Sequence, residues 1–282
     1  MSGRQSPTRR PARRPSPERR AVIRRRRAAA VAALLLVVVL IIVIAVVTAG
    51  GKKGGGGTGG HASPTPSPRP SATALRTPTA ARPLRLMNYG DSMGGELGWA
   101  LVPLARQTGV IKVWTWYKVS SSLVKPEFFS WPAYLRNDLP RRHLDAAVFL
   151  VGTNDGQGMV ADGKVLAFGS KPWVQEYRRR VGAVMDLFLK QGVKRVYWVG
   201  MPIMRSPGFS SVMKVIDTAG AAEAARRRSQ VTFIDAWKLF STSAGAYDSR
   251  WRHDDGIHYS IAGTQRLAQA VFDAIKRDWR IK

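Results

Sequence analysis

The sequence predicts an α/β domain built on a mainly parallel sheet with helices on both faces. Two observations carry this prediction: five short apolar runs, and between them longer segments whose apolar residues recur at helical spacing. Strands that alternate with helices need crossover connections, and those connections lay helices over the faces of a parallel sheet. A third observation bounds the domain. The pattern is confined to residues 84–282, about 200 residues, a length that buries a substantial core without metal or disulfide support.

In order, the expected strands are LRLMNY at 84–89, VIKVWTW at 110–116, DAAVFLV at 145–151, KRVYWVG at 194–200 and VTFID at 231–235. The expected helices include 96–107, 173–191, 211–228 and 261–277. No internal repeat is evident.

Upstream, the chain divides by composition. Arginine crowds residues 1–27, opposed only by Glu18 and read as a basic cytoplasmic tail. Residues 28–51, AAAVAALLLVVVLIIVIAVVTAGG, carry no charge, and at ~1.5 Å per residue such a helix crosses a hydrocarbon layer of roughly 30 Å. The arginines before it and the sparse Lys52 and Lys53 after it predict a cytoplasmic N-terminus and an extracytoplasmic domain. A cleaved signal peptide is the rival reading, but the run exceeds the usual apolar core of such peptides and no clean Ala-x-Ala site follows. Residues 52–83 are rich in Gly, then in Pro, Ser and Thr, and read as a tether.

Lys and Arg number 45 against 18 Asp and Glu, a formal net charge of +27. Much of that excess is the tail. In the domain, aromatic residues fall in apolar runs and do not alternate with Lys or Arg, so nucleic acid is not expected as a partner. Cysteine is absent, which excludes disulfides, thiolate metal sites and a thiol nucleophile.

Ligands of parallel sheets sit beyond the carboxyl ends of the strands, and three segments there carry candidate chemistry. Tyr89-Gly-Asp-Ser-Met-Gly-Gly95 follows the first strand and places Ser92 at a strand-to-helix turn, with its amide near the helix start; Asp91 or Ser92 acting only as helix cap is the plainer alternative. Gly152-Thr-Asn-Asp-Gly156 follows the third strand, where the Asn154 amide suits a developing negative charge, although these are also ordinary turn residues. His253-Asp-Asp-Gly-Ile-His-Tyr259 precedes the last helix, and in it Asp255 and His258, three apart, suit a carboxylate–imidazole pair. A capping cluster or a metal site would use the same residues, but no further ligand-rich segment completes a coordination sphere. No metal or other cofactor is expected. Together the three segments stand in the order nucleophile, oxyanion donor, acid and base.

Gly90-Asp-Ser-Met93, Gly152-Thr-Asn-Asp155 and Asp255-Gly-Ile-His258 resemble the motifs of the SGNH (GDSL) hydrolase superfamily, over roughly 86–274. Lys125–Pro132, Trp198–Arg205 and Asp255–Ser260 look closest to a bacterial subgroup of that superfamily known as a domain of unknown function. The resemblance implies a flavodoxin-like three-layer α/β/α sandwich on a five-stranded sheet. It also implies Ser92 as nucleophile, His258 as general base and Asp255 as its orienting carboxylate, with the Ser92 amide and Asn154 as oxyanion donors. The family's second motif supplies a further donor from a glycine amide. Here Val119–Leu123 holds Ser122 in that place, with its N–H retained and a side chain added.

The implied activity is ester hydrolysis through an acyl-enzyme, on O-acyl (acetyl) esters of a cell-envelope glycan or a lipid. Three alternatives stay open: O-acyl transfer to a sugar hydroxyl, a glycan-binding or scaffold protein without catalysis, and an assembly partner of a multispanning membrane acyltransferase.

Overall fold

The computed structural model describes residues 75–282. The expected basic tail, the membrane-spanning segment at 28–51 and most of the 52–83 linker lie outside the described residues. Among those described, no helix is long and apolar enough to cross a membrane.

The strands are β1 (Leu84–Gly90), β2 (Ile111–Tyr117), β3 (Ala146–Leu150), β4 (Met159–Ala161), β5 (Lys164–Leu166), β6 (Arg195–Val199) and β7 (Val231–Ile234). Five of them form one sheet in the order β2-β1-β3-β6-β7, each neighbouring pair parallel. Every residue of β3, the central strand, is buried, as a strand covered on both faces must be.

The helices are α1 (Ser92–Gln107), α2 (Trp131–Arg142), α3 (Lys171–Lys190), α4 (Pro207–Arg226), the short α5 (Ala236–Phe240) and α6 (Ile261–Trp279). Helix α1 packs on α6, while α2 packs on α3 and α3 on α4, giving the two outer layers of a three-layer sandwich. Each inner face follows from spacing: Met93, Leu97, Leu101 and Ala105 recur every four residues on α1, and Leu267, Val271 and Ile275 do so on α6.

The strands fall where the apolar runs predict them. Three helices start earlier than expected, because their first turns are set by caps and not by apolar periodicity. Asp91, Ser170 and Ser206 each accept an amide hydrogen bond at a helix start, and Lys171-Pro172 and Pro207 supply the favoured early proline. Besides the short α5 and a 3-10 turn at Ser249–Trp251, two features are additional. Helix α2 is capped by Ser130 and buries Trp131, Leu135 and Leu139 on one stripe. Strands β4 and β5 form an antiparallel hairpin around Asp162-Gly163, both with the positive φ that a tight turn of this kind requires.

The last residues of the expected linker lie against the domain. Arg76 donates to the Asp145 carboxylate at 2.8 Å and to the Arg82 and Pro83 carbonyls, and Arg280 donates to the Leu75 carbonyl.

Strand order reverses at β1: the chain leaves it to one side for β2 and returns to its other side for β3. The carboxyl ends of β1 and β3 therefore flank a crevice, the place where doubly wound sheets bind ligands. At the end of β1 the backbone is too close to its neighbours for any side chain. A Cβ on Gly90 would stand 2.5 Å from both the Leu150 carbonyl oxygen and the Gly94 Cα. Gly90→Ala is expected to lower stability by about 1–3 kcal/mol through overpacking. Urea unfolding checks this: the midpoint should fall with the slope unchanged.

Candidate active site

Ser92 is the first residue of α1, directly after the Asp91 cap. The Asp91 side chain is fully buried and accepts from the Met93 amide at 3.0 Å, the Gly94 amide at 3.4 Å and, across the crevice, the Gly152 amide at 3.3 Å. One carboxylate thus caps the helix and ties the end of β1 to the end of β3. The cap role and the serine placement are carried by adjacent residues, so the two readings of Gly-Asp-Ser hold together.

The Ser92 Oγ lies 3.0 Å from His258 Nε2, and His258 Nδ1 lies 2.7 Å from Asp255 Oδ2. An ionised carboxylate only accepts, so Nδ1 carries the proton and the Nε2 lone pair faces the serine hydroxyl. Asp255, not Asp254, meets the histidine. Its other oxygen accepts from the Ile257 amide at 2.8 Å and the His258 amide at 3.0 Å, fixing the carboxylate to the turn that carries the ring. Burial pushes the Asp255 carboxyl up, and the bonds from the His258 ring and the two amides outweigh it, holding it below the usual carboxylate range.

The loop is closed on itself and anchored below. Arg252 and Tyr259 pair as an antiparallel bridge, and the His253 amide donates to the His258 carbonyl at 2.9 Å. Gly256 turns the chain at φ 71°, and a Cβ there would meet Arg205 Cβ at 2.5 Å. The buried Arg252 guanidinium donates to the Ile203 carbonyl at 3.1 Å and lies over the rings of Tyr259 and Phe240, 4.4 and 4.8 Å from their centroids. From α1, Glu96 accepts the Tyr259 amide at 3.1 Å, so the helix that carries Ser92 also holds the residue after His258.

Of the expected oxyanion donors, Asn154 and Ser122 are each tied to the 119–125 loop. Asn154 Nδ2 donates to the Ser121 carbonyl at 3.1 Å, which leaves its second N–H for a ligand. Ser122 is buried, and its hydroxyl accepts from the Lys125 amide at 3.1 Å, turned into its own loop. The left-handed backbone of this loop falls on Ser120, at φ 62°, so Ser122 needs no glycine-like conformation.

Asp155 is the residue that sequence reasoning passed over. Fully buried, it accepts from the Leu123 amide at 2.6 Å, the Val124 amide at 3.1 Å and the Tyr177 hydroxyl at 2.7 Å, clamping the Ser120–Val124 loop beside Asn154. Its place next to Asn154 in the motif was the available signal. His253 is exposed beside the loop, and among the described residues no three His, Asp or Glu side chains are grouped to hold a metal ion.

Burial raises the Asp91 carboxyl to about 6 and the Asp155 carboxyl to about 7, against the amide and hydroxyl bonds that pull both down. A carboxyl raised on folding binds its proton more tightly in the native state, so it favours folding at low pH. That contribution fades as pH rises from the ordinary value of 3.8 through about 7. Unfolding free energy is expected to fall across this window, and Asp155→Asn should flatten the slope; urea titrations at several pH values measure both.

Similar folds are known. A lipase/acylhydrolase from Enterococcus faecalis superposes with a TM-score of 0.53 at 16% identity, covering 71% of this chain and 97% of its own. A protein described as a GDSL-like lipase from Parabacteroides merdae gives 0.51 at 11% identity, covering 76% and 100%. A variant of Axe2, an acetyl-xylooligosaccharide esterase from Geobacillus, gives 0.50 at 15% identity, covering 71% and 95%. At such identities the likeness is one of fold. No curated protein matches the sequence. A family described as a protein of unknown function (DUF459) matches residues 85–274. The chain therefore belongs to the DUF459 family, and its fold is that of the SGNH (GDSL) hydrolases.

Proposed function

We propose that this protein is a serine esterase that works through an acyl-enzyme, held at the membrane with its catalytic domain outside the cell. The observation that carries the reading is the unbroken line from Ser92 Oγ through His258 to Asp255, with separations of 3.0 and 2.7 Å. A cap or turn has no need of such a line. The hydrolase folds it resembles and the charge-flanked apolar stretch at 28–51 support the activity and the location respectively.

In this reading Ser92 attacks the ester carbonyl while His258 Nε2 takes the hydroxyl proton. Asp255 keeps the ring in the required tautomer and stabilises the imidazolium. The oxyanion is met by the amides of Ser92 and Ser122 and by the free N–H of Asn154. Ser92 contributes twice, because the first amides of a helix have no intrahelical acceptor and sit at the positive end of its dipole. Collapse of the intermediate passes the His258 proton to the departing alcohol and leaves the acyl group on Ser92. Water, deprotonated by His258, then releases the acid and restores the serine. The substrate class is an O-acyl ester of an extracellular glycan or lipid.

Hydrolysis of 4-nitrophenyl acetate by the full chain tests the reading. Ser92→Ala and His258→Ala should each lower kcat/KM by about 10⁴ or more. The Asp255 side chain is 46% exposed, so water partly substitutes for its field and Asp255→Asn should cost only about 10–100-fold. Asp254→Asn should change little. A folded chain without turnover, or turnover that survives Ser92→Ala, overturns the assignment.

A further inference from the structure

A groove of about 530 Å³ lies between α1 and α6, reaching Glu96, one helical turn beyond Ser92, and Tyr259, the residue after His258. Its first wall is the stripe of α1 that begins at Ser92: Glu96, Trp99, Ala100 and Pro103 follow at helical spacing. Ile261, Thr264, Gln265 and Gln269 of α6 form the other wall, and His253 and Tyr259, on either side of His258 in the loop, close the end. The groove therefore lies next to the place where an ester would react, one helical turn away along α1.

Three features identify what lies in it. Trp99 is 68% exposed, whereas Met93, Leu97 and Leu101 of the same helix face the core. A free indole face of this kind is unfavourable in water and suits the C–H face of a sugar ring. Opposite it stand the Gln265 and Gln269 amides and the Thr264 hydroxyl, with the Glu96 carboxylate on its own side, groups that together donate and accept as sugar hydroxyls require. Leu104 and Ile261 add apolar surface that an acyl chain could also cover, but only a hydroxyl-bearing ligand would use the amides, the hydroxyl and the carboxylate as well. Pro103, inside α1, has no N–H for the Trp99 carbonyl four residues back, which leaves an additional acceptor on the same stripe. Finally, no Lys or Arg lines the groove, although the chain as a whole is strongly basic. An anionic polymer would find no counter-charge there.

We propose that this groove is a subsite for a neutral pyranose oligosaccharide, which stacks a ring on Trp99 and thereby delivers its O-acyl group to Ser92. The proposal builds on the esterase reading, and binding can be separated from turnover. Calorimetry on the full-length Ser92→Ala chain, which keeps the groove, uses partially O-acetylated xylohexaose and cellohexaose as probes. At least one of them should bind, Trp99→Ala in that background should weaken it by about tenfold or more, and Trp99→Phe should restore most of the affinity. In the chain with Ser92 intact, Trp99→Ala should raise KM for the same sugar and leave 4-nitrophenyl acetate turnover within about twofold. No binding of either sugar, or affinity indifferent to Trp99, overturns the subsite. So does a Trp99→Ala effect that appears with a 4-nitrophenyl fatty ester and not with the sugars. Loss of the esterase reading would instead appear as absent nitrophenyl acetate turnover, with the calorimetric result standing by itself.

Discussion

A carboxylate with no access to water has to be surrounded by donors, and Asp91 meets that demand with backbone amides from two separate segments. The Met93 and Gly94 amides belong to its own helix, whereas the Gly152 amide belongs to the end of β3. The same three bonds thus set the start of α1, the direction of Ser92 and the distance between the first and third strand ends. Gly90, with no room for a side chain, lets the helix begin hard against the sheet. Everything in the crevice is measured from this joint.

Asp155 repeats the device one layer further out, collecting the Leu123 and Val124 amides and the Tyr177 hydroxyl. Both carboxylates fix a loop through its backbone amides, and in the esterase reading proposed above these loops carry the oxyanion donors in position before the reaction begins. The histidine loop is built differently. It is held by the Arg252–Tyr259 bridge, a guanidinium between rings and one bond from Glu96, and its Asp255 stands in water. The Asp91 and Asp155 joints are buried, whereas the Asp255 side chain is 46% exposed.

What could be read from the sequence was local. Five apolar runs mark the sheet because each turns apolar side chains into the core, β3 along its whole length and β2 at alternate positions, and the Gly-Asp-Ser, Gly-Thr-Asn-Asp and Asp-x-x-His segments declare themselves because turn and cap chemistry confines such residues to strand ends. Helix α2 escaped because its buried stripe is only Trp131, Leu135 and Leu139, interrupted by Asn137, Asp138 and Pro140. The β4–β5 hairpin escaped because its strands are three residues each. At Asp155 the motif marks the residue but not its partners. Its partners come from a loop about thirty residues upstream and a helix about twenty downstream, and no local pattern encodes that meeting. At Ser122 the sequence marks the exchanged residue, yet the left-handed turn is taken by Ser120 and the Ser122 hydroxyl folds back to Lys125.

The route by which the chain reaches the domain has a directional meaning. Arg76 is fixed to Asp145, which also receives the Arg85 amide at the start of β1, and Leu75 is fixed to Arg280 beyond the last turn of α6. All of these lie at the amino ends of the parallel strands, while Ser92, Asn154 and His258 lie past the carboxyl ends. Whatever restrains the chain before Leu75 grips the pole of the domain opposite the crevice. The chain thus enters the domain on the side away from the crevice and leaves the carboxyl ends of the strands unobstructed by its own residues 75–83.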